Sequence, residues 1–284
     1  MVGRDAHSMA NRPAREPVGL TQRSEPARRL ILLGASNLTR SLGTVLSIAS
    51  SRWGSPLDVL AALGRGRSYG QLSGFLGRKL PGIVQSGLWR ALAQREPLPT
   101  SAIVTDIGND LLYGASAESI AAWVEACVER LQRLDAAVAM TLLPTASLPR
   151  IGAARYLFFR TLLVPSCRLR LATIVDRAQA LNDLLRRLGE TRGISLVEHR
   201  DEWYGLDPLH IKLRWAERAW SEILAACRDN NALPQEHSPA CLLSWRRRVA
   251  LQFLRPHEVR LLGVDRVHPQ PCACLPDETR ISLY

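Results

Sequence analysis

The chain has 284 residues, 46% hydrophobic and 22% charged, with a formal charge of +11 carried almost wholly by arginine. That composition excludes a fibrous or wholly disordered chain and suffices for one large globular core plus an extension. There is no apolar run near the ~18–20 residues of a membrane span and no apolar leader, so a cytoplasmic protein is expected.

The first stretch, residues 1–28, is polar, rich in Pro, Arg and Ser, and lacks apolar periodicity; it reads as a disordered basic tail. Leu30–Leu33 is a short, fully apolar run that meets Gly34, the mark of a strand buried on both faces. Leu38–Ser50 follows as a helix, with Leu38, Leu42, Val45, Leu46 and Ala49 at helical spacing. Pro56–Leu63 is a second strand, leading into the glycine-rich Gly64–Gly70; Ser101–Ile107 is a third, ending at Gly108-Asn109-Asp110. Ser116 caps a helix to Leu134, with Ile120, Trp123, Val124, Cys127 and Leu131 on one stripe. Ala136–Leu143 is a fourth strand, and the segment from there to Pro165 has no assignable pattern. A helix over Arg168–Leu188 stops at Gly189, Ile194–Glu198 is a fifth strand, and Lys212–Cys227 is the last long helix.

Strand and helix alternate, which predicts a parallel sheet between helical layers: an α/β, three-layer α/β/α sandwich over residues 29–228. Residues 229–284, rich in proline, read as a C-terminal extension packing on that domain, with strand-like runs at Glu258–Gly263 and Arg280–Tyr284. The six cysteines, at 127, 167, 227, 241, 272 and 274, have no metal-site spacing and read as reduced thiols; no metal or organic cofactor is expected. The arginines are scattered, with small clusters at Arg28-Arg29, Arg186-Arg187 and Arg246-Arg247-Arg248. They read as a solvated surface, and no specific nucleic-acid partner is expected.

Acyl transfer needs a nucleophile, a base held in one tautomer, and donors aimed at a developing oxyanion. Ser36, just past the first strand, suits the nucleophile. In Asp207-Pro208-Leu209-His210 the carboxylate can turn back to His Nδ1–H and leave Nε2 for the serine proton. Donors are available from Ser36 N–H, from the N–H of Gly66, and from the side chain of Asn109. Gly64 and Gly70 are alternatives for the glycine.

These blocks, GASN at 34–37, the glycine of GRGRSYG, IGND at 107–110 and DPLH at 207–210, resemble the SGNH (GDSL-type) hydrolase family. The resemblance spans about Arg29–Cys227. It implies a flavodoxin-like sandwich, and an esterase with Ser36, Asp207 and His210 as its triad. It also implies an oxyanion hole of Ser36, Gly66 and Asn109. Ala35 and Asn37 stand where that family usually has aspartate and leucine. The implied substrate is a carboxylic ester or thioester, on a small molecule or an acylated polymer. Arg65, Arg67, Tyr69, Tyr113, Trp203 and Tyr204 flank these loops and are expected to shape the substrate pocket, the arginines favouring an anionic substrate.

Gly66-x-Ser68-x-Gly70 offers a competing α/β-hydrolase elbow with Ser68 as nucleophile. That reading lacks an HGGG-type segment and leaves GASN and GND unused. A third reading is a non-catalytic SGNH-like module that binds nucleic acid or an anionic polymer through its basic surface. His199, at the end of the fifth strand, has no aspartate at suitable spacing. Transfer of the acyl group to an alcohol instead of water, the acyl and alcohol parts, and the oligomeric state are not legible.

Overall fold

A computed structural model of the chain describes residues 24–75, 77–145, 168–205, 207, 209–228 and 243–284. Most of the expected tail, the unassigned stretch beyond Thr145, Cys167 and Cys241 lie outside them.

The apolar runs become the strands of one sheet. β1 (Arg28–Leu33) lies at its centre, with β2 (Leu57–Ala62) on one side and β5 (Thr100–Val104) on the other, both parallel to it. β6 (Ala137–Thr141) and β7 (Ser195–Val197) continue beyond β5. Leu30 to Leu33 are 0% exposed, as continuous apolar strands require when both faces are covered.

Two helical layers do the covering. α1 (Ser36–Trp53) and α6 (Leu213–Ala225) pack on one face, around Leu38, Leu42, Val45, Trp220 and Ile223. α4 (Ala117–Gln132) and α5 (Leu171–Arg192) pack on the other, around Ile120, Val124, Cys127, Leu181 and Leu185. The structure is therefore the expected α/β/α sandwich. Ser116 caps α4 as its position predicts, its Oγ accepting from Ser119 N–H at 3.2 Å.

One stop differs. α5 runs through Gly189 to Arg192 and ends at Gly193, which has φ +63°. Gly189 stays helical because it packs: a Cβ there would lie 2.7 Å from the Leu196 side chain.

The C-terminal residues pack on the domain through strand pairing. β11 (Arg280–Leu283) pairs in parallel with β2, and β10 (Ala273–Cys274) pairs antiparallel with β11. The full order is β10-β11-β2-β1-β5-β6-β7. The run at Glu258–Gly263 forms β8 (Glu258–Leu261) in a second, antiparallel sheet with β3 (Ser73–Phe75), β4 (Arg78–Leu80) and β9 (Val264–Val267). α7 (Trp245–Ala250) packs on α1. Just before β1, Ser24 N–H bonds the Glu278 carboxylate and Glu25 pairs with Arg280.

Among the described residues no helix is long and apolar enough to cross a membrane.

Candidate active site

From β1 the chain connects to β2 on one side, and β5 then lies on the other. This reversal opens a crevice at the carboxyl ends of β1 and β5, where parallel α/β sheets bind ligands. Ser36 follows β1 there, and Asp106 to Asp110 follow β5.

Gly34 must be small at this turn, since a Cβ would lie 2.7 Å from Thr105 Cγ2. Ser36 then opens α1. Ala35, the N-cap, has no side-chain bond to give, and the first turn holds no acidic residue. The cap comes from β5 instead. The Asp106 carboxylate accepts from Ala35 N–H at 2.9 Å, from Leu38 N–H at 3.2 Å and from Asn37 Nδ2 at 2.8 Å. It thus takes the role of an N-terminal acidic cap. To do so Asp106 adopts φ +57°, a conformation Asp tolerates better than most residues.

The loop before α6 brings the DPLH block onto Ser36. Asp207 folds back in a short turn, with Leu209 N–H donating to Oδ1 at 3.0 Å. His210 Nδ1 stands 2.6 Å from Asp207 Oδ2, and His210 Nε2 stands 3.0 Å from Ser36 Oγ. With Nδ1–H donated to the carboxylate, Nε2 is the free acceptor. Burial alone would raise the Asp207 carboxyl. The hydrogen bond and charge of His210, with the N–H groups of Leu209 and His210, outweigh it and hold the group below the ordinary range. The carboxylate is thus the stable form at neutral pH.

The glycine loop lies on the other side. Of its three glycines only Gly66 has positive φ, +66°, and a Cβ there would lie 2.9 Å from the Tyr113 hydroxyl. Gly64 and Gly70 are small for packing, against Leu80 and the Trp123 ring. Tyr113 OH donates to the Gly66 carbonyl at 2.5 Å, and Asn109 Nδ2 donates to the Arg67 carbonyl at 3.3 Å. Asn109 is half-buried and starts the short α3 (Asn109–Leu112). Its amide therefore sits beside the Gly66 loop.

Several pocket expectations are corrected by burial. Arg67 is 0% exposed, its guanidinium spent on the carbonyls of Leu63 and Pro81 and the main-chain oxygen of Tyr284. Its loss of hydration pulls its pKa down to about 9, and it does not face a substrate. Tyr69 is 0% exposed and donates to the carbonyls of Thr105, at 2.8 Å, and Leu33. Trp203 is 0% exposed, and Tyr204 is buried with its hydroxyl on His199 Nδ1. All four are framework. Tyr113 is half-buried against Gly66, and Arg65 is exposed.

Ser68 is 0% exposed as well. Its hydroxyl bonds Asp110 and accepts the N–H groups of Gly70 and Gln71, at 3.1 and 2.8 Å. Without access or a histidine, it ties the loop together and is no nucleophile.

Sequence reasoning alone does not bring Asp106 and Asn37 into this cluster. Asp106 lies inside the apolar run SAIVTDI and Asn37 reads only as a departure from leucine. Their acidic and amide side chains at the ends of neighbouring buried strands were the available signal.

Among the described residues no cluster of His, Cys, Asp and Glu could hold a metal ion. No family model and no curated protein matches the chain. Solved structures similar to it include an aryl esterase of M. smegmatis, at 14% identity and TM-score 0.49, over 70% of this chain and 100% of that one. A carbohydrate acetylesterase family member from Sinorhizobium meliloti shares 16% identity at TM-score 0.47, over 69% of this chain and 95% of that one. A lipolytic G-D-S-L family member from Veillonella parvula shares 12% at TM-score 0.43, over 69% and 95%.

Proposed function

We propose that this protein is a serine esterase of the SGNH type. The observation that carries the reading is the unbroken relay from Ser36 Oγ through His210, 3.0 Å on one side, to Asp207, 2.6 Å on the other. Ser36 Oγ attacks the acyl carbon of an ester or thioester while its proton passes to His210 Nε2. The imidazolium, oriented and stabilised by Asp207, returns that proton to the leaving alkoxide or thiolate as the tetrahedral intermediate collapses. A water, deprotonated by the same nitrogen, then attacks the acyl-enzyme and releases the acid.

The intermediate's oxyanion is held by Ser36 N–H, Gly66 N–H and Asn109 Nδ2. The Ser36 N–H belongs to the first turn of α1, whose unpaired donors and dipole favour negative charge. The left-handed Gly66 lets the backbone approach without a side chain in the way. No step calls for a metal or an organic cofactor.

The test is labelling with a fluorophosphonate, followed by peptide mapping. A single adduct on the Ser36 peptide is expected. In His210→Ala, labelling and ester turnover should fall by ~10⁴-fold or more. An adduct elsewhere, or none on the folded protein, would sink the reading.

A further inference from the structure

Asn37 sits between the two halves of this site. It follows the proposed nucleophile directly and is only 8% exposed. Its carboxamide makes three hydrogen bonds. Nδ2 donates to Asp106 Oδ1 at 2.8 Å and to the Leu209 carbonyl at 3.0 Å, and Oδ1 accepts from Ile211 N–H at 2.8 Å. The amide has one orientation, because the Asp106 carboxylate can only accept and the Ile211 N–H can only donate.

Leu209 and Ile211 are the residues on either side of His210. The amide therefore engages the backbone around the histidine as a neighbouring strand would, one donor and one acceptor flanking a single residue. It does so from the residue bonded to Ser36. Asp106 completes the unit, since its carboxylate holds the Asn37 amide together with the N–H groups of Ala35 and Leu38. Among the described residues, these two bonds are what tie the main chain of Leu209 and Ile211 to α1.

We infer that Asn37 is a positioning residue that sets the His210 imidazole against Ser36 Oγ, acting through the main chain of Leu209 and Ile211. The inference rests on the triad proposed above. It accounts for an asparagine where the family resembled usually has leucine: in this chain an amide fixes the histidine loop. A displacement of about 1 Å in a catalytic group can cost ~10²-fold in rate, so a clamp this close to the relay acts on kcat.

Asn37→Leu keeps the bulk and removes all three bonds. Asp106→Asn keeps the volume and a residue type that tolerates positive φ, but leaves fewer acceptor sites for its three donors. Both are compared with the parent on p-nitrophenyl acetate, in fluorophosphonate labelling rate, and by the low-field proton resonance of His210 Nδ1–H. For Asn37→Leu, kcat and labelling are expected to fall about 10–100-fold, with KM within about threefold and the resonance lost. Asp106→Asn should move the same readouts in the same direction by a smaller factor. A purely structural role would lower the unfolding midpoint and leave kcat and the resonance of the folded fraction unchanged; that result overturns the inference while the triad stands. Should Asn37→Leu fail to fold, Asp106→Asn decides by the same criteria. A parent protein that folds but takes no label on Ser36 removes the triad and the clamp together.

Discussion

Asp110 is 0% exposed, with its carboxylate on the Ser68 hydroxyl and 3.0 Å from Tyr69 N–H. Burial pushes its pKa up to about 6, against those hydrogen bonds, which pull it down. The folded state therefore holds this proton more tightly than the unfolded chain. Its contribution to stability is full below the ordinary value of 3.8 and is lost as pH rises through about 6. His199 works in the opposite sense. Burial pulls it from 6.5 down to about 4, so its contribution is present above 6.5 and lost as pH falls through about 4. Its Nδ1 shares a hydrogen bond with the Tyr204 hydroxyl, and burial makes the neutral ring the favoured form. Between pH ~4 and ~6 the two slopes oppose each other. Urea unfolding over this range should separate them. Relative to the parent, Asp110→Asn should gain stability with rising pH, by up to ~3 kcal/mol, on top of a pH-independent loss of hydrogen bonds. His199→Gln should lose stability relative to the parent over the same interval. Parallel profiles for parent and variant would contradict the assignment. Much of the candidate site is legible residue by residue, since Ser36, Gly66, Asn109, Asp207 and His210 lie in short sequence blocks in the loops that follow strands. Asp106 and Asn37 are not, because their roles depend on partners 71 and 172 residues away.

Among the elements, α5 shows why a glycine in a helical pattern has two meanings. Gly189 reads as the stop from the sequence, whereas Gly193 ends the helix in the structure. The difference lies outside the helix, in Leu196 of β7, which needs the space a Cβ at Gly189 would fill. Gly193 has nothing within 4 Å of an added Cβ, so its glycine serves only its φ of +63°. Gly193→Ala should therefore cost about 1–2 kcal/mol, the left-handed penalty alone, measurable as a lowered urea midpoint with unchanged slope. Gly189→Ala gains ~1 kcal/mol of helix propensity but forces Leu196 to move, and a net loss is expected. A Gly193→Ala variant as stable as the parent would show that the backbone there is not held left-handed. The long helices and the buried parallel strands are legible because their apolar periods run for several residues. The second sheet is not: β3 and β4 have three residues each and β9 is exposed throughout, so neither length nor alternation marks them.

For the whole molecule, the question is whether residues 29–228 stand alone or need the C-terminal strand. The sequence shows Arg280–Tyr284 as a strand, but not its partner, because pairing with β2 joins segments more than two hundred residues apart. Ile281 and Leu283 are 0% and 3% exposed, and Tyr284 N–H bonds the Ala61 carbonyl at 2.9 Å. At the opposite end of the strand pair, buried Asp58 of β2 is held by Arg29 at 2.9 Å and Arg95 at 2.8 Å, and Arg95 reaches Ser282 Oγ. The strand also supports the candidate site, because the main-chain oxygen of Tyr284 is one of the acceptors that satisfy the buried Arg67 guanidinium in the glycine loop. Removing residues 273–284 would expose the edge of β2, open the Asp58 cluster and leave Arg67 with fewer partners. Ile281→Ala alone should cost about 2–5 kcal/mol, a large share of the ~5–15 kcal/mol that holds an ordinary domain. The chain ending at residue 272 should therefore show no cooperative unfolding transition by circular dichroism and take no fluorophosphonate label, even with Ser36, Asp207 and His210 intact. A truncated chain that unfolds cooperatively and labels at the parent rate would mean that the sandwich is self-sufficient. β11 would then be an added edge instead of a part of the sheet on which the glycine loop depends.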